Sequence, residues 1–340
     1  MEKALTDIAV LILFFNRPEP LSKLFGQIRK ARPSRLFLYQ DGARSDKDTP
    51  GMMACRQIVS DENIDWECQV ERLYQERNYG CDPSNYMSQR WAFSHVDKCV
   101  VLEDDDVPCV SFFSFCKEML DRYENDTRVT MVNGFNIEER TPDAGADYFF
   151  STNFSIWGWA SWKRVIDQWD EKYTWLDDED AVRKLETVIK ERGYRDDFLP
   201  MCRQHRALGK PYYETIFWSH LLLSNGLCIV PARNMLNNLG PVPDSTHYGS
   251  TLRTVPHGLR RIFTMGRYEL EGPLRHPAHV IEHIAYRRRA YRIMGWMSPW
   301  VKVGRSLEEL ALNLRYGNFR RIAEAVRLRL KKMTGRQEYK

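Results

Sequence analysis

Apolar runs and helical stripes alternate along the first part of the chain. Ile8 to Phe15 is eight apolar residues without a polar break. A run of that length predicts a strand buried on both faces, as in a parallel sheet, and is too short to cross a membrane. Asn16-Arg17-Pro18 stops it, and Leu21, Leu24, Phe25 and Ile28 then recur at helical spacing. Arg35 to Tyr39 reads as a second strand, closing on Gln40-Asp41-Gly42, and Trp66 to Leu73 as a third. Asn85 to His95 predicts a helix, Cys99 to Leu102 a fourth strand, Phe112 to Tyr123 a helix behind Pro108, and Val129 to Val132 a further strand. This succession predicts an α/β fold with an open, mostly parallel sheet and flanking helices.

Beyond residue 145 the alternation fades. Trp157 to Trp162 reads as a Trp-rich turn, Asp177 to Arg192 as a charged amphipathic helix, and Glu214 to Asn225 as a helix with an aromatic start. Asn237 to His247 reads as a polar loop. From Pro273 the chain looks helical and basic, with Phe319, Ile322, Ala323, Val326, Leu330 and Met333 in one stripe. The expected organisation is one α/β domain over residues 1–250, its halves meeting near residue 135, and a basic, mostly helical extension over 251–340.

The fourth strand ends in four consecutive carboxylates, Glu103-Asp104-Asp105-Asp106. Burying an unpaired carboxylate is costly, and adjacent ones repel. A strand end carrying them needs a counter-charge, and a hard divalent cation, which takes oxygen ligands and bridges carboxylates to phosphate oxygens, is the natural candidate. The bland alternative is a solvated acidic loop. Asn16-Arg17 and Gln40-Asp41 also sit at predicted strand carboxyl ends, where open α/β sheets bind ligands.

Composition narrows the picture. The 43% hydrophobic and 28% charged fractions are those of an ordinary soluble protein. The eight cysteines form no C-x-x-C pair, so zinc-site spacing is missing. No signal peptide precedes the first strand, which leads to the expectation of reduced thiols and a cytoplasmic location. The net charge of +4 hides an asymmetry: residues 251–340 carry +13 and residues 1–250 carry −9. A basic tail of this kind seeks anionic surfaces. Neither G-x-x-x-x-G-K-[ST] nor G-x-G-x-x-G occurs, which disfavours a kinase or a dehydrogenase. A bound diphosphate would then be held through a metal.

Asn16-Arg17-Pro18, Tyr39-Gln40-Asp41-Gly42, and Val101 to Asp105 followed by Pro108 and Phe112-Phe113 resemble the GT-A nucleotide-sugar glycosyltransferases, with their Rossmann-like sheet. The chain most resembles the N-acetylglucosaminyltransferase I type and its bacterial relatives. The order continues with Asn153 to Trp159, Glu214 to Trp218, and Asn238-Leu239-Gly240 with Ser245-Thr246-His247, so the resemblance spans about residues 5–250. It implies that Asp105 ligates Mn²⁺ or Mg²⁺ and that Glu103 and Asp104 contact ribose and sugar hydroxyls. It implies further that Asp41 accepts a uracil N–H beside Gln40, that Asn16 and Arg17 lie against base or phosphate, and that His247 holds the diphosphate side of a closing loop. Glu214 would be the general base, taking a proton from the acceptor hydroxyl in a single inverting displacement. The implied donor is a UDP-sugar, with N-acetylglucosamine or a related hexose as the best guess, and the implied acceptor a glycan or lipid-linked glycan.

Several departures and rivals accompany that reading. The family's base is often Asp, whereas Glu214 is one methylene longer. An Asp104-x-Asp106 metal pair is an alternative to Asp105, and Asp196 and Asp197 are rival bases. Trp157, Trp159 and Trp162 are as readily core packing as a sugar platform. His279-Val280-Ile281-Glu282-His283 matches an inverted zinc-protease pattern, against which Arg287 to Arg289 would repel a metal. The alternative functions are a catalytically inactive α/β domain whose tail binds membrane or nucleic acid, and a sugar nucleotidyltransferase, which would normally carry a Gly-rich loop near Phe15. Peripheral attachment to an anionic inner membrane face is expected, and nucleic acid is not expected as a partner.

Overall fold

The run near the N-terminus becomes the centre of the sheet. The computed structural model describes residues 2–240 and 252–333, with side chains to residue 327. Strand β1 (Thr6–Phe14) is followed by α1 (Pro18–Ala31), β2 (Pro33–Gln40), α2 (Thr49–Ile58), β3 (Gln69–Tyr74), α3 (Cys81–His95) and β4 (Lys98–Glu103). Then come β5 (Asp106–Pro108), α4 (Ser111–Arg122), β6 (Val129–Asn133), β7 (Tyr148–Ser151), β8 (Trp159–Trp162) and α5 (Lys163–Ile166). Helices α6 (Glu179–Val188), α7 (Arg192–Leu208) and α8 (Tyr213–Leu223) precede β9 (Leu227–Pro231) and β10 (Leu236–Asn238). Short α9 (His257–Arg260), α10 (Ile284–Met294), α11 (Pro299–Arg315) and α12 (Phe319–Met333) complete the order.

Among the described residues the main sheet has eight strands in the order β3-β2-β1-β4-β8-β6-β9-β7. Neighbours β3-β2-β1-β4 are all parallel, as are β6 and β9. This is the mostly parallel, Rossmann-like α/β fold with helical flanks that the apolar runs imply. Val10, Leu11 and Ile12 are fully buried, as expected for a strand covered on both faces. Pro18 opens α1, a first-turn position where its missing N–H does no harm. The stripe Leu21, Leu24, Phe25 and Ile28 is buried against the sheet side. The register pairs Phe14 with Gln40 and Leu13 with Glu103. Three strand ends therefore finish level, and the polar residues after them meet on one edge.

Of the Trp-rich turn expected over Trp157 to Trp162, Trp157 and Gly158 form a bend, and Trp159–Trp162 is instead a strand. β8 inserts between β4 and β6, antiparallel to both. All four of its residues are buried, so no alternation of polar and apolar positions marks it. Ser161 Oγ donates to the Thr130 carbonyl at 2.7 Å, and Trp162 Nε1 to that of Leu120 at 3.0 Å. Trp159 and Trp162 are thus core, with their polar atoms turned to backbone or packed away.

The chain after residue 251 adds to this body. Ile262, Phe263, Met265, Tyr286 and Ala290 build a second core with Phe135, Ile137, Phe149 and Val230. Glu282 pairs with Phe150 as an isolated parallel bridge, and His283 N donates to the Phe150 carbonyl at 2.8 Å. This covers the exposed edge of β7. After Pro273 regular helix begins only at Ile284, so residues 273–283 are irregular, with bends and a single bridge at Glu282, where the basic segment predicts helix. The described helices include none long and apolar enough to cross a membrane.

Gly158 is the joint between the sheet and the acidic edge. Its φ of +52° favours glycine, and an added Cβ would overlap the Leu236 side chain. Its N–H donates to Asp106 Oδ2 at 3.0 Å, and its carbonyl accepts from Gly134 N at 2.9 Å. Gly158→Ala is expected to lower unfolding stability by about 2–4 kcal/mol, from backbone strain plus overpacking. Urea unfolding followed by fluorescence measures it, and a change within error would mean that the joint yields freely.

Candidate active site

Strand β4 delivers its carboxylates into an environment with few cations. Asp106 turns inward: Oδ2 accepts from Glu103 N at 3.1 Å and Gly158 N at 3.0 Å, and Oδ1 from Asn238 Nδ2 at 3.1 Å. It is a structural ligand of the turn, not half of an Asp104-x-Asp106 metal pair. Asn238 arrives through the antiparallel pairing of β10 with β5, which sets Asn238 opposite Asp106. The same amide donates to Asp105 Oδ1 at 2.8 Å.

Arg17, the residue before α1, supplies the one guanidinium that reaches the cluster among the described residues. Its Nη2 pairs with Asp104 Oδ1 and, at 2.9 Å, with Asp105 Oδ2. Burial raises the Asp104 carboxyl to about 6 although Arg17 pulls it down, and burial raises Asp106 to about 8. Glu103 is pushed well up by burial and then by Asp105 and Asp106, and its nearest hydrogen-bond partner is the Tyr213 hydroxyl at 3.5 Å. Among the described residues one guanidinium, two backbone N–H groups and the Asn238 amide serve four carboxyls, which leaves room for protons or a further cation.

The other predicted residues divide. Asn16 lines the same cleft and donates to Asp48 Oδ1 at 2.7 Å. Gln40 does not line it: its amide spans the Phe15 carbonyl at 2.7 Å and the Met52 carbonyl at 3.1 Å, and its Oε1 accepts from Arg56. Asp41 lines the cleft, but its oxygens accept from Gly42 N, Asn78 Nδ2, Tyr79 N and Gly80 N, all within 3.2 Å. These donors fill its lone pairs, so in this conformation Asp41 shapes the 78–80 turn and has no acceptor left for a base N–H. Asn78 and Arg44 line the cleft and escaped the sequence reading. Arg44 pairs with Asp48 and lies over the Phe15 ring at 4.9 Å. His247, with Ser245 and Thr246, lies outside the described residues.

Glu214 opens into the cleft from the first turn of α8. No side-chain hydrogen-bond partner is seen for it among the described residues. Burial, with a contribution from Asp82, lifts its pKa to about 7. The rival acids are accounted for otherwise. Asp197 accepts from Trp296 Nε1 at 2.9 Å and Lys302 Nζ at 2.6 Å, while Asp196 is exposed and 3.4 Å from Arg192.

The cleft measures about 770 Å³ and has two unlike ends. One holds Arg17, Glu103, Asp104 and Asp105. The other is aromatic, with Phe154, Trp157, Tyr194, Trp218, Tyr291 and Trp296. Tyr194 stacks between Trp218 and Trp296, with centroids at 4.9 and 4.7 Å. The sequence offered two signals for this wall, the Asn153 to Trp159 segment, which holds Phe154 and Trp157, and the Glu214 to Trp218 helix start; Tyr291 and Trp296 come from outside the matched region. The zinc-like pattern dissolves: His283 Nδ1 accepts from Tyr286 N to cap α10, and Glu282 accepts from Thr152.

The described residues contain no cluster of three or more His, Cys, Asp or Glu side chains that could hold a metal ion. A cation beside Asp105 would therefore take one protein carboxylate and complete its shell with phosphate oxygens and water, the mode Mg²⁺ favours. The all-oxygen donor set and the uncompensated negative charge suit such an ion.

No protein-family profile and no curated protein matches the chain. Among solved structures, it overlaps a cytidylyltransferase from Leptospira borgpetersenii serovar Hardjo-bovis (strain JB197) at 12% identity and TM-score 0.30, covering 58% of this chain and 71% of that one. A UDP-glucose pyrophosphorylase complexed with UDP-glucose overlaps at 9% identity and TM-score 0.28, covering 48% and 81%. Scores this low decide neither family nor chemistry, which rest on the site.

The two neighbouring aspartates should separate cleanly. Asp106→Ala leaves two backbone N–H groups unpaired in a buried place and takes one of two acceptors from the Asn238 amide, and is expected to destabilise by about 3–5 kcal/mol. Asp105→Ala removes one of the crowded carboxyls from the cleft lining, where Arg17 keeps Asp104 and the Asn238 amide keeps Asp106, and should melt at or above the parent temperature. Equal melting of the two variants would refute the division between turn ligand and site residue.

Proposed function

We propose that the chain is a metal-dependent, inverting glycosyltransferase that moves a hexose, with N-acetylglucosamine the first candidate, from a UDP-sugar to an acceptor hydroxyl. The observation that carries this reading is Glu214: a desolvated acid, without a side-chain hydrogen-bond partner among the described residues, on the same cleft as the strand-end carboxylates. The acidic end would hold the donor's diphosphate side, with Asn16, Glu103 and Asp104 near the sugar and ribose and Asp105 as the protein ligand of Mn²⁺ or Mg²⁺. That ion, when bound, offsets the negative charge of the diphosphate.

Glu214 would accept the proton of the acceptor hydroxyl as its oxygen bonds to the anomeric carbon. The bond from that carbon to the diphosphate oxygen breaks, and the electron pair leaves with the nucleoside diphosphate. A base whose pKa sits near 7 is matched to that task at neutral pH. Arg17 is tied to Asp104 and Asp105 here, so its part in this reading is to hold the carboxylates in place. Against nucleotidyl transfer stands the Phe15-Asn16-Arg17-Pro18 turn, which lacks the glycines that let backbone cradle a triphosphate.

Thermal shift with Mn²⁺ and a panel of nucleotide sugars, followed by transfer assays, tests the reading. Stabilisation by UDP-sugars that needs both the metal and Asp105 supports it; pyrophosphate release from a nucleoside triphosphate and sugar phosphate would replace it. Glu214→Gln is expected to lose about 10²–10⁴-fold in turnover with donor binding unchanged. The parent's rate should rise with pH through about 7 as Glu214 loses its proton. The stability sign is opposite. The folded carboxyl holds its proton up to about 7 where the unfolded one loses it near 4.5, so Glu214 destabilises the fold progressively across that window. Above pH 7 Glu214→Gln should therefore melt higher than the parent, and near pH 4 the two should coincide. An unchanged rate, or identical melting at every pH, would remove Glu214 from the role.

A further inference from the structure

Helix α11 shows solvent an apolar stripe. Trp300, Val303, Leu307, Leu310 and Leu314 recur at alternating three- and four-residue steps, and all five are exposed, Trp300 at 78% and Leu307 at 62%. Phe319 at the start of α12 continues the apolar surface at 66% exposure. The opposite face is engaged: Lys302 reaches Asp197, Glu308 accepts from His257 N at 2.8 Å, and Asn313 is buried. A helix anchored on one side with large apolar residues on the other marks an interaction surface.

Charge identifies the occupant. Much of the basic excess closer to the sheet is consumed inside the molecule: Arg289 pairs with Glu138 and Asp143, and Arg275 with Asp147. Arg288, Arg292, Arg315, Arg321 and Arg327 form no ion pair with a described residue. They lie on α10 to α12, beside or following the stripe in sequence. A face-to-face contact of two copies through the stripe would bring these cationic margins together, which opposes it. An anionic bilayer satisfies both features: apolar side chains enter the headgroup boundary, and arginines meet lipid phosphates.

We propose that α11, with the start of α12, docks the protein on an anionic membrane surface. The stripe differs from the one read from the sequence, which lay wholly on α12. The acidic remainder of the chain is repelled by the same surface, so docking has one orientation. The cleft's aromatic end lies close by, since Met294 and Trp296 line it and Trp300 follows in the first turn of α11.

The test uses the full chain and does not depend on catalysis. Vesicles of phosphatidylcholine alone, and of equal parts phosphatidylcholine and phosphatidylglycerol, are sedimented with protein at low and high salt. The parent should pellet with the anionic vesicles at low salt, and less at high salt or with the neutral ones. Leu307→Glu with Leu310→Glu should bind at least ~10-fold more weakly. Arg315→Glu with Arg321→Glu probes the cationic margin independently, and should also release the protein. Leu5→Glu, an exposed leucine at the start of the chain, is the control and should pellet like the parent. Melting curves matching the parent's confirm that each variant is folded. Absence of parent binding, or parental binding by both double variants, overturns the proposal. So does light scattering that shows a dimer broken by Leu307→Glu with Leu310→Glu, since a second copy then covers the stripe.

Discussion

Four adjacent carboxyl groups share the end of one strand with, among the described residues, a single guanidinium, and much of the molecule is arranged around that requirement. Asp106 is satisfied by turning inward onto two backbone N–H groups and an asparagine. That fixes Gly158 above it and forces β10 to run beside β5, so that Asn238 can serve Asp105 and Asp106 together. Even Gly240 belongs to this arrangement: an added Cβ would lie 3.1 Å from Asp105 Oδ2. What remains, Glu103, Asp104 and Asp105, faces the cleft with Arg17 as its cation. Carboxyls crowded in this way favour either protons or a cation beside them.

The antiparallel insertion of β8 gives the cleft its second half. A sheet parallel throughout would continue from β4 with another strand ending on the same edge. Here β8 starts at that edge, and the Phe154 to Gly158 segment leading into it lies across the top of the sheet. Phe154 packs on Phe217 and Trp218 of α8, and Trp157 on Phe135 and Phe263. Glu214 sits one turn before Trp218, at the boundary between the acidic and aromatic ends. Its desolvation is thus a product of the packing that forms the apolar wall.

Legibility in the sequence followed the range of the interaction. β1, α1 and β2 were visible because an apolar run and a stop signal are local, and the level strand ends followed from the alternation. β8 was misread because a strand buried on both faces carries no period-2 signal and Gly158 suggested a turn. Gln40 and Asp41 were placed at the correct edge, yet their side chains are occupied by Phe15, Met52 and the 78–80 turn, partners that no spacing announces. Asp104 and Asp105 were recognised as charges needing a counter-ion, but that Arg17 would be the cation depends on contacts 87 and 88 residues apart. The stacking of Trp296 on Tyr194 joins residues more remote still in sequence.

The charge asymmetry between the two parts of the chain does two different jobs. Where the basic segment crosses the sheet edge, its cations meet acids of the first part: Arg275 at Asp147, Arg289 at Glu138 and Asp143, Lys302 at Asp197. These are partly exposed pairs, each worth little alone. Their value is geometric, because they fasten residues 275–302 over the second core and set Tyr291 and Trp296 into the cleft. The same segment therefore closes the aromatic end and, by occupying Asp197 with Lys302 and the Trp296 indole, removes the nearest rival to Glu214 as a free carboxylate. Past Lys302 the acids of the first part are no longer met, and the positive charge that continues along α11 and α12 turns outward. Integration of the first stretch and exposure of the second have one cause: among the described residues, no cation beyond Lys302 lies against an acid of the first part.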